Sequence, residues 1–366
     1  MSNIKLKYIY SVDSYLDAGV INKINDQINE FIRNGIDAQV INMGFVSKMK
    51  RIFPFASASH RWSDFNTQEK IDVLYIRYTL ADKVMLKMLK EVKTYNPKVK
   101  VIIEIPTYPY SKEYKIKHVP ILLKDVLNRR HLKEYVDRIV TFSDDKQIFG
   151  IPTINAMNGI SFKRISQKET IVSQDGINLI AVSTMHFWHG YDRLLIGMSE
   201  YYKKDDVETI VHLHMVGEGI ELENYKKIVN ERGIGDYVTF YGLKTKKELD
   251  EIYNKCDIAV GVFGAHRKGI YRDSSLKSRE YLAKGLPIVT SCKIDVIDSQ
   301  DYPFVLYIQE GESTVNTEKI IKFHKDVYAD RGKRQGDIIS EIREYGFKLC
   351  DISITMKPLI EHVISG

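Results

Sequence analysis

Two charged side chains, Lys277 and Glu280, stand three positions apart in the stretch best suited to binding chemistry, SSLKSREYLAKGLPIVT at 274–290. Two serines that are favourable helix caps precede Leu276. The pattern therefore predicts a helix from Leu276, with the lysine in its first turn and the glutamate one turn later on the same face. The free N–H groups and partial positive charge of a helix N-terminus attract anions. The lysine can then contact a diphosphate, and the carboxylate can accept hydrogen bonds from two ribose hydroxyls. The alternative is an ordinary surface ion pair on a packing helix.

The residues after this helix predict how it is positioned. Gly285 suits the C-terminal end of a helix, Pro287 cannot continue one, and Ile288 opens a short apolar strand. A helix that leads directly into a buried strand is typical of a parallel α/β sheet. Strand and helix patterns alternate along the rest of the chain, and 366 residues fit two domains of roughly 150–200 residues each.

The composition is that of an ordinary globular protein, with 44% hydrophobic and 28% charged residues. We find no apolar run near the roughly 20 residues of a membrane span, and the first residues read as a strand rather than a signal peptide. Three cysteines without metal-site spacing fit a reducing compartment. We therefore expect a cytoplasmic protein. The formal charge of +6 is too mild to indicate a nucleic-acid partner, but it permits contact with an anionic surface.

The fourteen residues LKSREYLAKGLPIV resemble the donor-site segment of retaining GT-B glycosyltransferases. These are the family 4, or group 1, kind that includes bacterial surface-polysaccharide enzymes. The resemblance implies an α/β, GT-B fold, with two Rossmann-like domains and an inter-domain cleft. On this basis we expect an acceptor-binding domain at 1–160 and a donor-binding domain at 161–345. A C-terminal helix at 346–366 should cross back to the first domain.

The resemblance also implies roles for individual residues. Lys277 would contact the donor diphosphate and Glu280 would hold the ribose, and no metal or other cofactor is expected. The other donor-side candidates are the helix start at Ser275 and Leu276, the Gly-x-Gly that begins at Gly217, and the base-contacting loop at Leu243.

The chain departs from the family pattern at several positions: Ser161 replaces an aspartate, and the loop near Met185 lacks the arginine that many relatives have there. Arg272 stands where a glutamate normally faces the donor sugar, and His189 stands where a lysine normally contacts the diphosphate. His186 is a second possible donor in the same loop, with a buried structural histidine as the alternative. Arg272 or Lys268 beside a phosphate would suit stabilisation of a leaving group, and we take Arg272 together with Lys277 as the catalytic candidates.

Three residues of the first domain are candidates for the acceptor side. Gly19 precedes a helix and lets a substrate approach the backbone, although a plain turn would also favour glycine. Glu104 and Thr107 follow a strand in EIPTYPY and can hydrogen-bond hydroxyl groups at the carboxyl edge of the sheet. The alternative is a rigid connection with tyrosines packed in the core.

Two basic segments are candidates for peripheral contact with the inner face of a membrane. Residues 45–55 interleave lysine and arginine with aromatic and aliphatic side chains, and residues 111–138 form a basic pattern that we predict to be helical. The alternatives are a loop folded onto its domain and an exterior helix with a solvated face.

The sequence thus predicts a glycosyltransferase, specifically a hexosyltransferase. It would move a sugar from a nucleotide-diphosphate sugar, with UDP favoured, to a saccharide or lipid-linked saccharide with retention, in surface glycan synthesis. Two alternatives stay open: a GT-B sugar-nucleotide epimerase and a non-catalytic GT-B partner subunit.

Overall fold

A computed structural model describes residues 4–11, 18–44, 46, 50–53, 56–110, 119–170, 176–297, 302–329 and 332–365. The chain divides into two compact units, which we call domain 1 (Met1–Gly159 with Ile352–Gly366) and domain 2 (Ile160–Asp351). The returning segment of domain 1 thus begins at Ile352 rather than at the predicted 346, because the preceding residues up to Cys350 belong to a helix of domain 2.

Domain 1 is built on a seven-stranded sheet. Its elements are β1 (Lys5–Tyr10), α1 (Ala18–Arg33), β2 (Asp37–Asn42), β3 (Val73–Arg77), α2 (Lys83–Tyr95), β4 (Lys100–Ile105), α3 (Val119–Arg129), β5 (Arg138–Thr141), β6 (Gln147–Ile148), β7 (Ile151–Asn155), α10 (Ile352–Thr355) and α11 (Lys357–Ile364).

The strand order of domain 1 is β2-β1-β3-β4-β5-β7-β6, with every pair parallel except β6 and β7. The order reverses between β1 and β3, as in flavodoxin-like sheets. Apolar side chains of β3 and β4 alternate between two buried clusters, one on each face of the sheet. Helix α1 and the returning helices α10 and α11 cover one of these faces.

Domain 2 contains a six-stranded sheet and a two-stranded one. Its elements are β8 (Ile177–Val182), α4 (Tyr191–Tyr201), β9 (Val211–Val216), α5 (Leu222–Arg232), β10 (Val238–Phe240), α6 (Lys246–Lys255), β11 (Ile258–Val260), β12 (Arg272–Asp273), α7 (Leu276–Lys284), β13 (Ile288–Thr290), β14 (Lys293–Ile294), β15 (Val305–Tyr307), α8 (Thr317–Tyr328) and α9 (Gln335–Cys350).

The large sheet of domain 2 is parallel, with the order β10-β9-β8-β11-β13-β15. Numbered along the chain, this is the 3-2-1-4-5-6 order of the Rossmann fold, which confirms the α/β expectation. The order reverses between β8 and β11. Ligands of such sheets bind beyond the carboxyl ends of the strands at this switch point.

Helix α7 has the bounds that the sequence predicts, and it ends at Gly285 in the left-handed conformation (φ 77°). A Cβ on Gly285 would lie 2.5 Å from the Ile339 carbonyl oxygen on α9, and one on Gly346 would lie 2.7 Å from Leu282 Cβ. Both positions require glycine because α7 and α9 pack closely there. This packing fixes the axis of α7, and with it the direction in which its N-terminus points.

Two helical predictions need correction. The pattern at 111–138 predicts one helix, but α3 ends at Arg129 and a 3₁₀ turn follows at Leu132–Glu134; residues 111–118 lie outside the described residues. The terminal helix is divided at Met356, because Pro358 lacks an N–H and suits the first turn of a new helix. No helix in the described ranges is both long and apolar enough to cross a membrane.

Candidate functional site

Glycines let three loops approach one another at the carboxyl edge of the domain 2 sheet. A Cβ on Gly190 would lie 2.4 Å from the Gly264 nitrogen, and one on Gly217 would lie 2.1 Å from the Ser183 carbonyl oxygen. Both glycines have positive φ, so a side chain at either would add backbone strain to the clash. The loops after β8, β9 and β11 therefore meet at the switch point of the sheet. Gly217, a predicted donor-side residue, lies in the loop after β9, where that loop contacts the loop after β8.

Lys277 lies in the first turn of α7 and turns toward this edge. Its Nζ stands 3.4 Å from Tyr191 Oη and 5.7 Å from the centre of the Tyr191 ring. Within the described residues no carboxylate lies within salt-bridge distance of Lys277. The surface ion pair with Glu280 that the sequence left open is not formed. Lys277 therefore combines an uncompensated charge with the N-terminal end of a helix, which is the arrangement that attracts an anion.

Glu280 lies one turn further along α7, half-buried, and faces α6 rather than Lys277. Its Oε1 accepts a long hydrogen bond of 3.5 Å from Tyr253 Oη. Burial raises the pKa of Glu280, and the positive charges of Lys284 and Arg164 oppose that shift. The structure thus separates the two predicted partners into a cation at the helix start and a carboxylate beside α6.

His189 contributes a neutral ring to the same edge. Its ring stacks on Tyr191 with centroids 5.4 Å apart, and its Nδ1 accepts a hydrogen bond from the His186 backbone N–H at 3.0 Å. Burial and the positive charge of Lys277 lower the pKa of His189 to about 2. The ring proton therefore lies on Nε2, which leaves His189 able to donate one hydrogen bond but unable to supply charge near neutral pH.

Lys268 brings a second ammonium group to these rings. It ends a 3₁₀ turn at Ala265–Lys268, and its Nζ lies 4.5 Å above the Trp188 ring, which itself stacks on His186 at 4.1 Å. Across the described residues Lys268 makes no ion pair with a carboxylate. Lys268 and Lys277 thus stand at the two ends of a row of rings formed by Trp188, His189 and Tyr191.

The remaining donor-side candidates lie on the loops of the same edge. Ser275 is the N-cap residue of α7, but its buried hydroxyl has no hydrogen-bond partner in the described ranges. Leu276 is half-buried behind it, and Leu243, after β10, is 74% exposed. Arg272 is exposed and donates from Nη2 to the Asp295 carbonyl oxygen at 3.3 Å. Ser275 and Leu276 open α7, Leu243 follows β10, and Arg272 is the first residue of β12.

Sequence reasoning missed the buried arginines that hold these loops. The guanidinium of Arg193, which is 1% exposed, donates to the carbonyl oxygens of Phe263, Gln309 and Ser313. Arg279 is fully buried and pairs with Asp295, whose other oxygen accepts from Ser274 Oγ at 2.6 Å. A charged residue at a core position of α7 is the one sequence signal that points to such a pair.

On domain 1 the structure does not support Glu104 as a contact for acceptor hydroxyls. Its side chain is fully buried, and its oxygens accept from Arg77, from Gln27 at 2.8 Å and from Tyr75 at 2.7 Å, with Lys23 at 3.4 Å. Burial alone would raise the pKa of Glu104, but Lys23 and Arg77 lower it to about 2. These partners occupy the carboxylate, so Glu104 is a structural residue beneath the sheet edge.

The other two acceptor-side candidates are open to solvent. Thr107 is exposed after β4. Gly19 lies in the first turn of α1 rather than in a loop, and a Cβ there would meet no atom of the described residues within 4 Å. Both therefore stay predictions. In the described parts of the chain, we find no group of three or more histidine, cysteine or acidic side chains arranged to hold a metal ion.

Much of domain 2, including this edge, is similar to a known protein family. Residues 176–326 match the model of the family described as glycosyl transferases group 1. This match spans β8 to α8 and contains Gly217, Lys277 and Glu280. No relative among the curated proteins matches the sequence significantly.

Solved structures of GT-B glycosyltransferases superpose on the chain along almost its whole length. Sucrose-phosphate synthase from Thermosynechococcus elongatus has a TM-score of 0.67 at 12% identity, covering 99% of this chain and 100% of that one. The lipopolysaccharide outer core galactosyltransferase WaaB, in its apo form, has a TM-score of 0.58 at 14% identity, covering 99% of each chain. Anabaena HepE in complex with UDP-glucose has a TM-score of 0.62 at 11% identity, covering 99% of this chain and 100% of that one. Because the identities are only 11–14%, these similarities establish the GT-B fold and nothing more about this chain.

Proposed function

We propose that this chain, whose residues 176–326 match the group 1 glycosyltransferase model and which has the GT-B fold, is a glycosyltransferase that transfers a hexose from a uridine diphosphate sugar, with retention. Domain 2 would hold the donor at the carboxyl edge of its sheet, and domain 1 would hold a saccharide or lipid-linked saccharide acceptor. The proposal rests chiefly on Lys277, an ammonium group at the start of α7 that has no carboxylate partner within the described part of the chain.

The proposed chemistry is stabilisation of charge. Breaking the bond between the anomeric carbon and the donor phosphate leaves a cation-like sugar and a nucleoside diphosphate that gains negative charge. Lys277 and the N-terminal N–H groups of α7 would stabilise that charge, and they help most if their interaction strengthens as the bond breaks. Glu280 would hold the ribose on the α6 side of the site. This scheme requires no metal ion.

Uridine is the base that the comparisons favour. HepE, one of the structural neighbours, was solved in complex with UDP-glucose, and an α-glucosyltransferase with a TM-score of 0.64 was solved in complex with UDP and a 13-mer DNA. These two neighbours support a UDP-hexose donor. WaaB is a lipopolysaccharide outer core galactosyltransferase, and it supports an acceptor that belongs to a surface glycan.

We also propose that domain 1 contacts the inner face of a membrane. Helix α3 exposes an apolar face of Val119, Leu123, Val126 and Leu127, each about half exposed. Lys124, on the same helix, donates to the carbonyl oxygens of Arg51 and Ala56 and so joins α3 to the described part of 45–55. Exposed basic side chains flank this face at Lys50, Arg130 and Lys133. An apolar face with basic flanks is suited to an anionic bilayer surface. Residues 45, 47–49, 54–55 and 111–118 lie outside the described residues.

The donor proposal is tested by thermal unfolding of the full chain with UDP, GDP, ADP and their sugars. A ligand that binds only the folded state raises the melting temperature. We expect UDP and one UDP-hexose to stabilise the wild type, and Lys277→Ala and Glu280→Ala to lose that response while unfolding normally without ligand. Lys277→Ala should also lower turnover by about 10²–10³-fold.

Lys227→Ala is the matched control, because Lys227 on α5 is 70% exposed and its ion pair with Glu231, at 3.7 Å, is also on the surface. This variant should behave as the wild type in both measurements. Unchanged melting for every nucleotide, at concentrations far above a typical donor Kd, would refute the donor site. Release of nucleotide from the donor without any acceptor, together with an altered free sugar, would indicate an epimerase instead.

A further inference from the structure

The donor site that we propose on domain 2 has Lys277 at the start of α7, and a second cation would stabilise a diphosphate leaving group further. A nucleoside diphosphate leaving group gains negative charge as it departs, and each cation that contacts its oxygens lowers the cost of that charge. His189 donates a hydrogen bond but carries no charge near neutral pH, because burial and nearby lysines keep its ring neutral. A second cation would therefore come from another element of the same edge.

Three arginines of this edge are already committed to the protein. Arg193 donates to three backbone carbonyls, and Arg279 is buried against Asp295. Arg267 donates to both oxygens of Asp192, at 2.9 and 2.7 Å, and also to Glu312. Moving Arg193 or Arg279 onto a ligand would leave a buried partner unsatisfied, which is costly. Moving Arg267 would break its two-oxygen contact with the half-buried Asp192.

Lys268 is differently placed. Its ammonium group lies on the Trp188 ring at 4.5 Å, half-buried, with no carboxylate in salt-bridge distance among the described residues. A cation–π contact is weaker than a charge-assisted hydrogen bond to a phosphate oxygen. The contact therefore holds the side chain near the site without using up its charge.

The backbone that carries Lys268 is also fixed in position. The neighbouring Arg267 donates to the Phe187 carbonyl oxygen at 2.8 Å, and the Phe263 N–H donates to the His189 carbonyl oxygen at 2.8 Å. These bonds attach the 3₁₀ turn at Ala265–Lys268 to the loop that carries Trp188 and His189. The position of Lys268 relative to the ring row is thus set before any ligand binds, which reduces the entropic cost of using it.

We propose that Lys268 is the second cation on the donor diphosphate, acting with Lys277 from the opposite end of the row formed by Trp188, His189 and Tyr191. This inference rests on the proposed function of the site. It assigns the charge to Lys268 rather than to Arg272, which is exposed and donates to the Asp295 carbonyl oxygen.

The test compares the affinities of UDP and uridine, measured by calorimetry on the full chain, because their ratio isolates the contribution of the diphosphate. We expect the wild type to bind UDP far more tightly than uridine. Lys268→Gln should weaken UDP by about ten- to a hundredfold and leave uridine unchanged. Lys268→Arg should restore most of the loss, since it keeps the charge. Lys227→Gln is the control and should alter neither ligand.

The possible results distinguish the proposed donor site from the proposed role of Lys268. A wild type that does not prefer UDP to uridine would refute the proposed donor site itself. A wild type that prefers UDP, with a Lys268→Gln variant that keeps the same ratio, would overturn only the role of Lys268. Arg272→Gln is measured in parallel, and a loss of the ratio in that variant alone would assign the second cation to Arg272. Unfolding without ligand shows whether each variant is folded.

Discussion

The buried ion pair between Arg279 and Asp295 gives the most direct test of how domain 2 holds its site. Arg279 is fully buried on α7 and Asp295 is 8% exposed. Removing the carboxylate in Asp295→Ala leaves a guanidinium in the core without its counter-ion. Loss of one partner of a buried pair costs about 3–5 kcal/mol. In a domain of this size each kcal/mol lowers the melting temperature by about 2–4 °C, so we expect a fall of roughly 6–20 °C.

The same change should loosen the start of α7. Asp295 accepts from Ser274 Oγ at 2.6 Å, and its backbone N–H donates to the Asp273 carbonyl oxygen at 3.0 Å. Of these two bonds, Asp295→Ala removes only the one from Ser274, because the other is made by the backbone. We therefore expect β12 to stay paired with β14 and residues 274–275 to become more mobile. Thermal unfolding and urea titration measure the stability, and UDP affinity at a temperature where the variant is folded measures the effect on the site.

Two other variants test whether the Arg279–Asp295 pair stabilises domain 2. Asp326→Ala removes an ion pair with Lys322 whose side chains are 48% and 77% exposed, so it should cost no more than about 0.5 kcal/mol. The double variant Arg279→Met with Asp295→Ala removes both charges and should recover much of the stability, because an apolar replacement of a buried pair is often nearly neutral. If Asp295→Ala costs no more than Asp326→Ala, or if the double variant is less stable than Asp295→Ala, the pair does not act as described.

Two further predictions concern domain 1. The pKa of Glu104 is lowered from 4.5 to about 2, so its stabilising contribution is fully present above about pH 4.5 and is lost as the pH falls through about 2. Glu104→Gln should therefore lower the free energy of unfolding by roughly 3 kcal/mol near neutral pH. Urea titrations of both proteins at pH 7, 4 and 3 should show the difference between them shrink as the pH falls. An equal difference at every pH would contradict this prediction. Leu123→Glu with Leu127→Glu should reduce sedimentation with vesicles rich in anionic lipid without changing UDP affinity, whereas unchanged sedimentation would refute the membrane face on α3.

The parts of the fold that sequence reasoning predicted well depend on local signals. The start of α7 after two serines, its end at Gly285 and the strand that follows are all encoded within the consecutive residues 274–290. The alternation of apolar strands and amphipathic helices likewise predicts the α/β class, because parallel strands buried on both faces must be almost continuously apolar.

The parts that sequence reasoning missed depend on partners far apart in the chain. Arg267 is clamped by Asp192 and by Glu312, and Arg193 by the carbonyl oxygens of three separate residues. Periodicity does not reveal such pairs. Glu104 was misread for the same reason: a carboxylate after a strand suggests a ligand contact, but the residues that surround it belong to α1 and β3. Residue type indicates what a side chain can do, and only its partners determine whether it is available.

At the carboxyl edge of the domain 2 sheet, arginines and lysines have different kinds of partner, and the chemistry of the two side chains explains why. A guanidinium presents several donors in a planar fork, so Arg193 and Arg267 can each satisfy several fixed oxygens at once. An ammonium is a compact charge on a flexible stem, and Lys268 and Lys277 rest on aromatic rings instead of carboxylates. Arg193 and Arg267 thus hold the loops in place, whereas Lys268 and Lys277 pair with no carboxylate among the described residues. A lysine in place of Arg267 would keep the charge but lose the fork that binds both Asp192 oxygens, so the turn that carries Lys268 depends on the shape of that side chain as well as on its charge.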